Sequence, residues 1–247
     1  GPWNGEDIVD IICKQPATAR FIARKMYDFF VADEPPVPSW RQSEPRDMEA
    51  IKTLEKAYFD SGYEISAMLK ALFTSDFFKS ESVHYAKVKS PAEVVIGTLR
   101  MVGQHTGPEP GLFFVAMEPK YMGMDLLNPP TVEGWHTGAE WINSGTLIDR
   151  INFAAGLLGD TELPGVKSII GRLMGGSDAV RPEDFVDGCL DLTGPLTVAE
   201  ETRSELVAHV QSGGELRHGS ESERQNFSQR TGEMLQFIAT TSEFQFG

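Results

Sequence analysis

The residue types best suited to chemistry fall inside one irregular stretch. It runs Gly123-Met124-Asp125-Leu126-Leu127-Asn128-Pro129-Pro130-Thr131-Val132-Glu133-Gly134-Trp135-His136 and closes on Trp141. Trp135 and Trp141 can offer an aromatic platform to a sugar ring or a cation, because the face of an indole is electron-rich. The same two indoles can instead staple the loop by burying their large apolar area against helices. His136 lies between Glu133 and Glu140, which places three oxygen or nitrogen donors inside eight residues. That spacing matches no established metal motif, so no metal ligand is assigned. As a general base, His136 has no nucleophile beside it: there is no Gly-x-Ser-x-Gly, and the nearest serine, Ser144, reads as a helix cap. Arg150 adjoins Asp149 on the following helix, and neighbours one residue apart point to different sides. Arg150 is expected to pair with a carboxylate, Glu133 or Glu93, that ties the loop down. The ligand-binding candidates are therefore Trp135, His136, Glu133, Trp141 and Arg150. No catalytic residue and no cofactor is assigned.

The elements around this stretch read as helices. Pro129 and Pro130 forbid helix within it, and Gly134 tolerates a left-handed backbone before the bulky indole. Ile8, Ile11 and Ile12 form a short helical stripe after Asn4 and Gly5, and Pro16 opens a helix to Val31. Residues 33–45 carry four prolines and Trp40 and read as a loop with polyproline character. Pro45 is expected to open a helix that stops at Gly62, followed by one with Ile65, Met68, Leu69, Leu72 and Phe73. Ser90-Pro91-Ala92-Glu93 has the form of a capping box with proline at the first helical position, leading to about Gly103. A weaker run spans Leu112 to Met122, and Asn143 or Ser144 caps a helix from Thr146 to Leu158. Further stripes hold Val166, Ile169, Ile170 and Leu173, then Phe185, Val186, Cys189 and Leu190. Thr197 is expected to cap the next run, Gly213 to Arg224 to form a linker or mobile loop, and Phe227, Met234, Leu235 and Ile238 to mark the last helix. No period-2 series is convincing. The reading is an all-α array of about ten helices, with a rigid Pro/Gly/Trp-rich loop. A helical core over 1–159 carries a C-terminal helical region, 160–247, packed on it as one domain. One echo recurs: Thr74-Ser75-Asp76-Phe77-Phe78 resembles Thr241-Ser242-Glu243-Phe244, a helix end with a fresh cap, an acid and a phenylalanine. It reads as a common helix-turn solution, with a duplicated helical unit as the sharper alternative.

Composition narrows the classes. The 247 residues are 40% hydrophobic and 23% charged, ordinary values for a globular chain. With 36 acidic against 22 basic residues the net charge is −14, which disfavours nucleic acid and anionic membranes as partners. Arg20, Arg24 and Lys25 cluster, yet an ordinary solvated or ion-paired face is expected there rather than an anion site. Cys13 and Cys189 read as buried free thiols, with a disulfide between them left open. No apolar run approaches the ~18 residues needed to span a bilayer. No signal peptide is visible, and a chain that begins at Gly1 is expected to be a fragment.

Several pieces, in order, resemble the motifs of one bacterial family. Asn4-Gly5-Glu6-Asp7-Ile8-Val9-Asp10 resembles its opening helix. Gln15-Pro16-Ala17-Thr18-Ala19-Arg20-Phe21-Ile22-Ala23-Arg24-Lys25-Met26 is similar to its Pro-Ala-x-Ala-Arg-Phe helix, and Lys87-Val88-Lys89-Ser90-Pro91-Ala92-Glu93 to its Lys-x-Pro-x-Glu turn. Asn128-Pro129-Pro130-Thr131-Val132-Glu133-Gly134-Trp135 resembles its Pro-Pro-x-Val-x-Gly-Trp loop. Trp141-Ile142-Asn143 with Asp149-Arg150-Ile151-Asn152-Phe153 resembles the segment that follows. Thr241-Ser242-Glu243-Phe244-Gln245 resembles its final Ser-Pro-Glu-Phe-Gln, with Thr-Ser in place of Ser-Pro. By these pieces the chain resembles the bacterial domain of unknown function 1800 proteins, and the resemblance implies that this chain is the C-terminal half of a longer member. It also implies an extracytoplasmic location, periplasmic or secreted, and gene neighbours that resemble sulfatases. It transfers no catalytic residues.

The functional expectation is a binding or assembly module of an exported protein, without its own catalysis and with a protein or glycan as partner. The alternative is a hydrolase or accessory domain acting on an extracytoplasmic polysaccharide or sulfated glycan.

Overall fold

The computed structural model describes residues 3–176 and 178–247. The chain forms an all-α multi-helix array with a single short two-stranded ladder among the described residues. It divides into two compact units. One holds the chain up to Val88 together with Thr137–Ala139, and the other holds Lys89–His136 with Glu140–Gly247. The 159/160 division suggested by sequence texture falls inside the second unit. Leu158 and Val166, on either side of it, share one core.

The first unit contains α1 (Gly5–Cys13), α2 (Pro16–Phe30), α3 (Met48–Asp60) and α4 (Ile65–Thr74). Its core joins Ala19, Ala23, Met26 and Tyr27 of α2 to Ala50, Ile51, Leu54 and Tyr58 of α3 and Met68 and Leu72 of α4. Pro16 sits in the first turn of α2 as expected, where its missing N–H is no loss. The helix expected from Pro45 begins at Met48 instead, because the Asp47 carboxylate accepts from the Glu49 and Ala50 N–H groups and sets the cap. The proline-rich loop contains a 3₁₀ turn, Val37–Arg41.

Arg24 is not on a solvated face. It is 3% exposed and lies 2.6 Å from Glu34, donating also to the carbonyls of Ser43 and Glu44. The Trp40 ring covers its guanidinium at 4.7 Å. Arg24 thus fastens the proline loop to α2. Arg20 is ion-paired with Glu55 at 2.6 Å.

The second unit contains α5 (Pro91–Val102), α6 (Leu112–Val115), α7 (Glu118–Tyr121), α8 (Ser144–Leu158) and α9 (Pro164–Leu173). It continues with β1 (Ala179–Val180), α10 (Pro182–Leu192), α11 (Glu200–Ser212), β2 (Leu216–Arg217), α12 (Glu221–Thr240) and α13 (Ser242–Gln245). Helix α12 packs against α8, α9, α10, α13 and β2. The core includes Leu158, Ile170, Phe185, Cys189, Leu206, Phe227, Leu235 and Ile238. The Ser90–Glu93 capping box forms as read, with Ser90 Oγ accepting from Glu93 N–H and Glu93 Oε2 from Ser90 N–H.

Four local readings are corrected. The run 112–122 breaks into α6 and α7, because Pro119 lacks the N–H that a continuous helix would need. Thr197 does not cap α11. Its N-cap is Ala199, whose N–H is satisfied by Glu243 Oε1 at 3.0 Å. The stretch 213–224 is not a free linker: β2 pairs antiparallel with β1, Ala179 opposite Arg217, and Ser220 caps α12. Both cysteines are free, but Cys13 is only half-buried. The sequence echo reflects a shared turn device one residue out of register, with Ser75 standing where Thr241 does. Ser75 Oγ donates to Leu72 O and accepts from Phe78 N–H, as Thr241 Oγ1 does with Ile238 O and Phe244 N–H.

Candidate functional site

The loop after α7 is built around Asp125. Its carbonyl accepts from Asn128 N–H at 3.1 Å, closing a turn, and from the Trp135 ring nitrogen at 3.1 Å. Its carboxylate meets Lys120 at 3.0 Å and Asn128 Nδ2 at 3.2 Å, and these bonds hold its pKa below the usual carboxylate range. A second tight turn follows. Gly134 N–H donates to Thr131 O at 3.1 Å, and Thr131 Oγ1 donates to Gly134 O and accepts from Glu133 N–H. Gly134 adopts φ 109°, a conformation open to glycine and strained for other residues.

These two turns decide where each candidate side chain goes. Trp135 is half-buried with its ring nitrogen turned back to Asp125, so it acts on the loop itself. Trp141 is 5% exposed and its carbonyl accepts from Thr146 Oγ1 at 2.8 Å. The pair therefore presents no open two-ring platform. His136 and Glu133 are exposed. His136 Nδ1 lies 3.5 Å from Glu140 Oε1, and its ring meets the edge of Trp141 at 6.2 Å. Among the described residues, no group of three or more His, Cys, Asp or Glu side chains is placed to hold a metal ion.

Arg150 is fully buried, and no carboxylate lies within ion-pair distance among the described residues, neither Glu133 nor Glu93. It donates instead to Lys89 O at 2.6 Å, Gln245 Oε1 at 3.1 Å and Gln245 O at 3.3 Å, while Nη1 has no partner among the described residues. Burial pulls its pKa down to about 10, opposed in part by Glu93. The expected tie between α8 and the loop is thus a tie from α8 to the start of α5 and to α13. Carbonyl dipoles take the place of a counterion.

The same turns expose apolar side chains that the sequence reading passed over. Leu127 is 95% exposed and sits at φ 62°, the third residue of the Asp125–Asn128 turn. That position normally selects glycine or asparagine. Val132, in the second turn, is fully exposed, as are most of Phe113 and Phe114 on α6 and Tyr121 on α7. The available signal was Leu126-Leu127 standing between two turn-forming residues, with no helical or strand periodicity to bury them.

Among the described residues, no helix is long and apolar enough to cross a membrane. A family model described as "Protein of unknown function (DUF1800)" matches residues 1–246, and the chain belongs to that family. Searches of curated proteins and of solved structures return no match.

Proposed function

We propose that this member of the domain of unknown function 1800 family is a binding or assembly module without its own catalysis, with the loop from Gly123 to His136 as its docking element. The observation that carries the reading is Leu127. A leucine in a left-handed conformation costs roughly 1–2 kcal/mol of backbone energy. Leaving it in water also forgoes the roughly 1.5–3 kcal/mol that burial of a leucine side chain contributes. Neither cost helps the fold, since the side chain touches almost nothing. Strain held at an exposed position is a pointer to function. The loop is stiffened by Pro129, Pro130 and the hydrogen bonds of Asp125 and Trp135, so Leu127 and Val132 are presented without a large ordering cost on binding. Among the described residues, Glu118 and Glu133 flank them without ion-pair partners, which favours a partner whose apolar pocket has a basic rim. Action outside the cytoplasm is part of the proposal and rests on the family resemblance.

The test is quantitative capture from extracytoplasmic extract with the wild-type chain and with Leu127→Gly and Val132→Thr. A partner enriched by wild type and lost with both variants supports the reading. Identical captures by all three proteins refute it. The glycan-directed alternative is supported by the exposed His136–Glu140 pair beside Glu133. If it holds, affinity electrophoresis in polysaccharide gels retards wild type, and His136→Ala or Glu133→Gln abolishes the retardation; unretarded wild type rejects it.

A further inference from the structure

A groove of about 900 Å³ lies in the second unit between α9, the turn from α8 to α9, and one face of α12. Its charged lining is largely self-cancelled. Lys167 pairs with Glu162 at 2.8 Å and Arg224 with Glu221 at 2.9 Å. Among the described residues, only Glu233 of the lining charges has no cation in ion-pair distance. Much of the polar lining is left unspent. Gln229 Nε2 donates to Glu233 Oε1 at 3.1 Å and Gln236 Nε2 to Ala155 O at 3.2 Å. These acceptors fix which way each amide faces, because only the nitrogen can donate. The side-chain oxygens of Gln229 and Gln236 therefore have no donor among the described residues, and each amide keeps a second N–H. Ser228 has spent its hydroxyl hydrogen on Arg224 O at 2.9 Å and keeps its lone pairs. Gln225 lines the same wall with no side-chain hydrogen bond to the described residues. Opposite, Ile170 and Met174 supply an aliphatic surface, and Gly171 has nothing within 4 Å of where a Cβ would stand, which keeps the wall open.

A groove of nearly balanced charge that keeps both acceptor oxygens and spare N–H donors calls for a ligand that donates and accepts without strong charge. Hydroxyl groups meet both conditions, and the aliphatic wall suits the C–H face of a sugar ring. Anions meet Glu233 and cations already paired at Lys167 and Arg224, and a polycation finds one unpaired carboxylate. We propose that this groove binds a short neutral oligosaccharide, one lacking sulfate, phosphate and uronate groups. The site is separate from the loop that carries Leu127, and either can fail without the other.

The experiment is a titration of the whole chain followed by amide and methyl NMR, with maltotriose, cellotriose and chitotriose as probes and spermidine and a sulfated disaccharide as charged controls. The expected result is saturable shifts at Ile170, Met174 and the α12 wall with at least one neutral trisaccharide, at a Kd on the order of 1 mM. Gln225→Leu/Gln229→Leu, both at exposed positions, weakens that binding by about tenfold, as loss of two ordinary hydrogen bonds would. The α12 capping box and core are untouched by these changes, so an unaltered amide spectrum away from the groove certifies the fold. Absence of saturable shifts with all three sugars overturns the proposal. Tighter binding of either charged control, or equal binding by the double variant, overturns it too.

Discussion

Replacing Leu127 by glycine should stabilise the protein while weakening its docking surface. The magnitude follows from three terms. The left-handed backbone at φ 62° costs a residue with a Cβ roughly 1–2 kcal/mol, and glycine removes that cost. Glycine adds freedom to the unfolded chain, which takes back about 0.5–1 kcal/mol. The side chain is 95% exposed, so almost no buried area is lost. The net is a gain of about 0.5–1 kcal/mol, or a Tm rise of about 1–4 °C for a unit of this size. Leu127→Ala is the control: it keeps the Cβ and the strain, and its stability should stay within about 0.5 kcal/mol of wild type. Urea denaturation followed by circular dichroism, with calorimetry in parallel, measures all three proteins. If Leu127→Gly instead lowers stability by more than about 1 kcal/mol, the side chain is packing against the fold. The argument that leucine is kept there for a partner then fails.

Three further outcomes are expected. Arg150→Ala should cost about 3–5 kcal/mol, because it opens a cavity and strands the Lys89 carbonyl and the Gln245 side-chain oxygen. Arg150→Met should cost less by about 1–2 kcal/mol, since it fills the space and removes a buried charge with no counterion; equal losses in denaturant titrations would refute that account. Burial pushes the Cys189 thiol up, so iodoacetamide should modify half-buried Cys13 in the native protein and Cys189 only on unfolding; equal native labelling, read by mass spectrometry, would contradict this. Asp187, bonded by Arg203 at 2.8 Å, titrates below the usual carboxylate range. Its folded pKa is depressed, so its contribution is present above the unfolded carboxylate pKa and is lost as pH falls through the folded one. Asp187→Asn should therefore lower Tm slightly near neutrality and leave it unchanged in strong acid; a deficit that persists in acid would exclude the ion pair as the cause.

The helices were legible because their signals are local. Ser90 and Glu93, three residues apart, satisfy each other's backbone donors, and Asn143 caps α8 in the same way. Pro16 and Pro182 open helices because φ near −65° and a missing N–H are properties of one residue. Apolar spacing at three and four residues marked which faces of α9, α10 and α12 would be buried. The readings that failed locally, at Pro45 and Thr197, placed a boundary a few residues early where a neighbouring group made the better cap.

The site was much less legible. The Pro-Pro-Gly-Trp segment announced a stiff loop and identified the family. Yet nothing in it distinguished Trp141, which is buried, from Trp135, whose ring nitrogen reaches back ten residues to Asp125. Arg24, expected on a solvated or ion-paired face, is ion-paired with Glu34 but buried, with the Ser43 and Glu44 carbonyls as further acceptors. Arg150 looked like half of an ion pair and is held by Gln245, 95 residues away. By itself the sequence determined most of the helices, the caps made by near neighbours and the stiffness of the loop, since those depend on φ preferences and hydrogen bonds within four residues. The tertiary structure alone decided which indole is buried, what holds Arg150, and that Leu127 stands in water, because burial and distant partners exist only once the chain has packed.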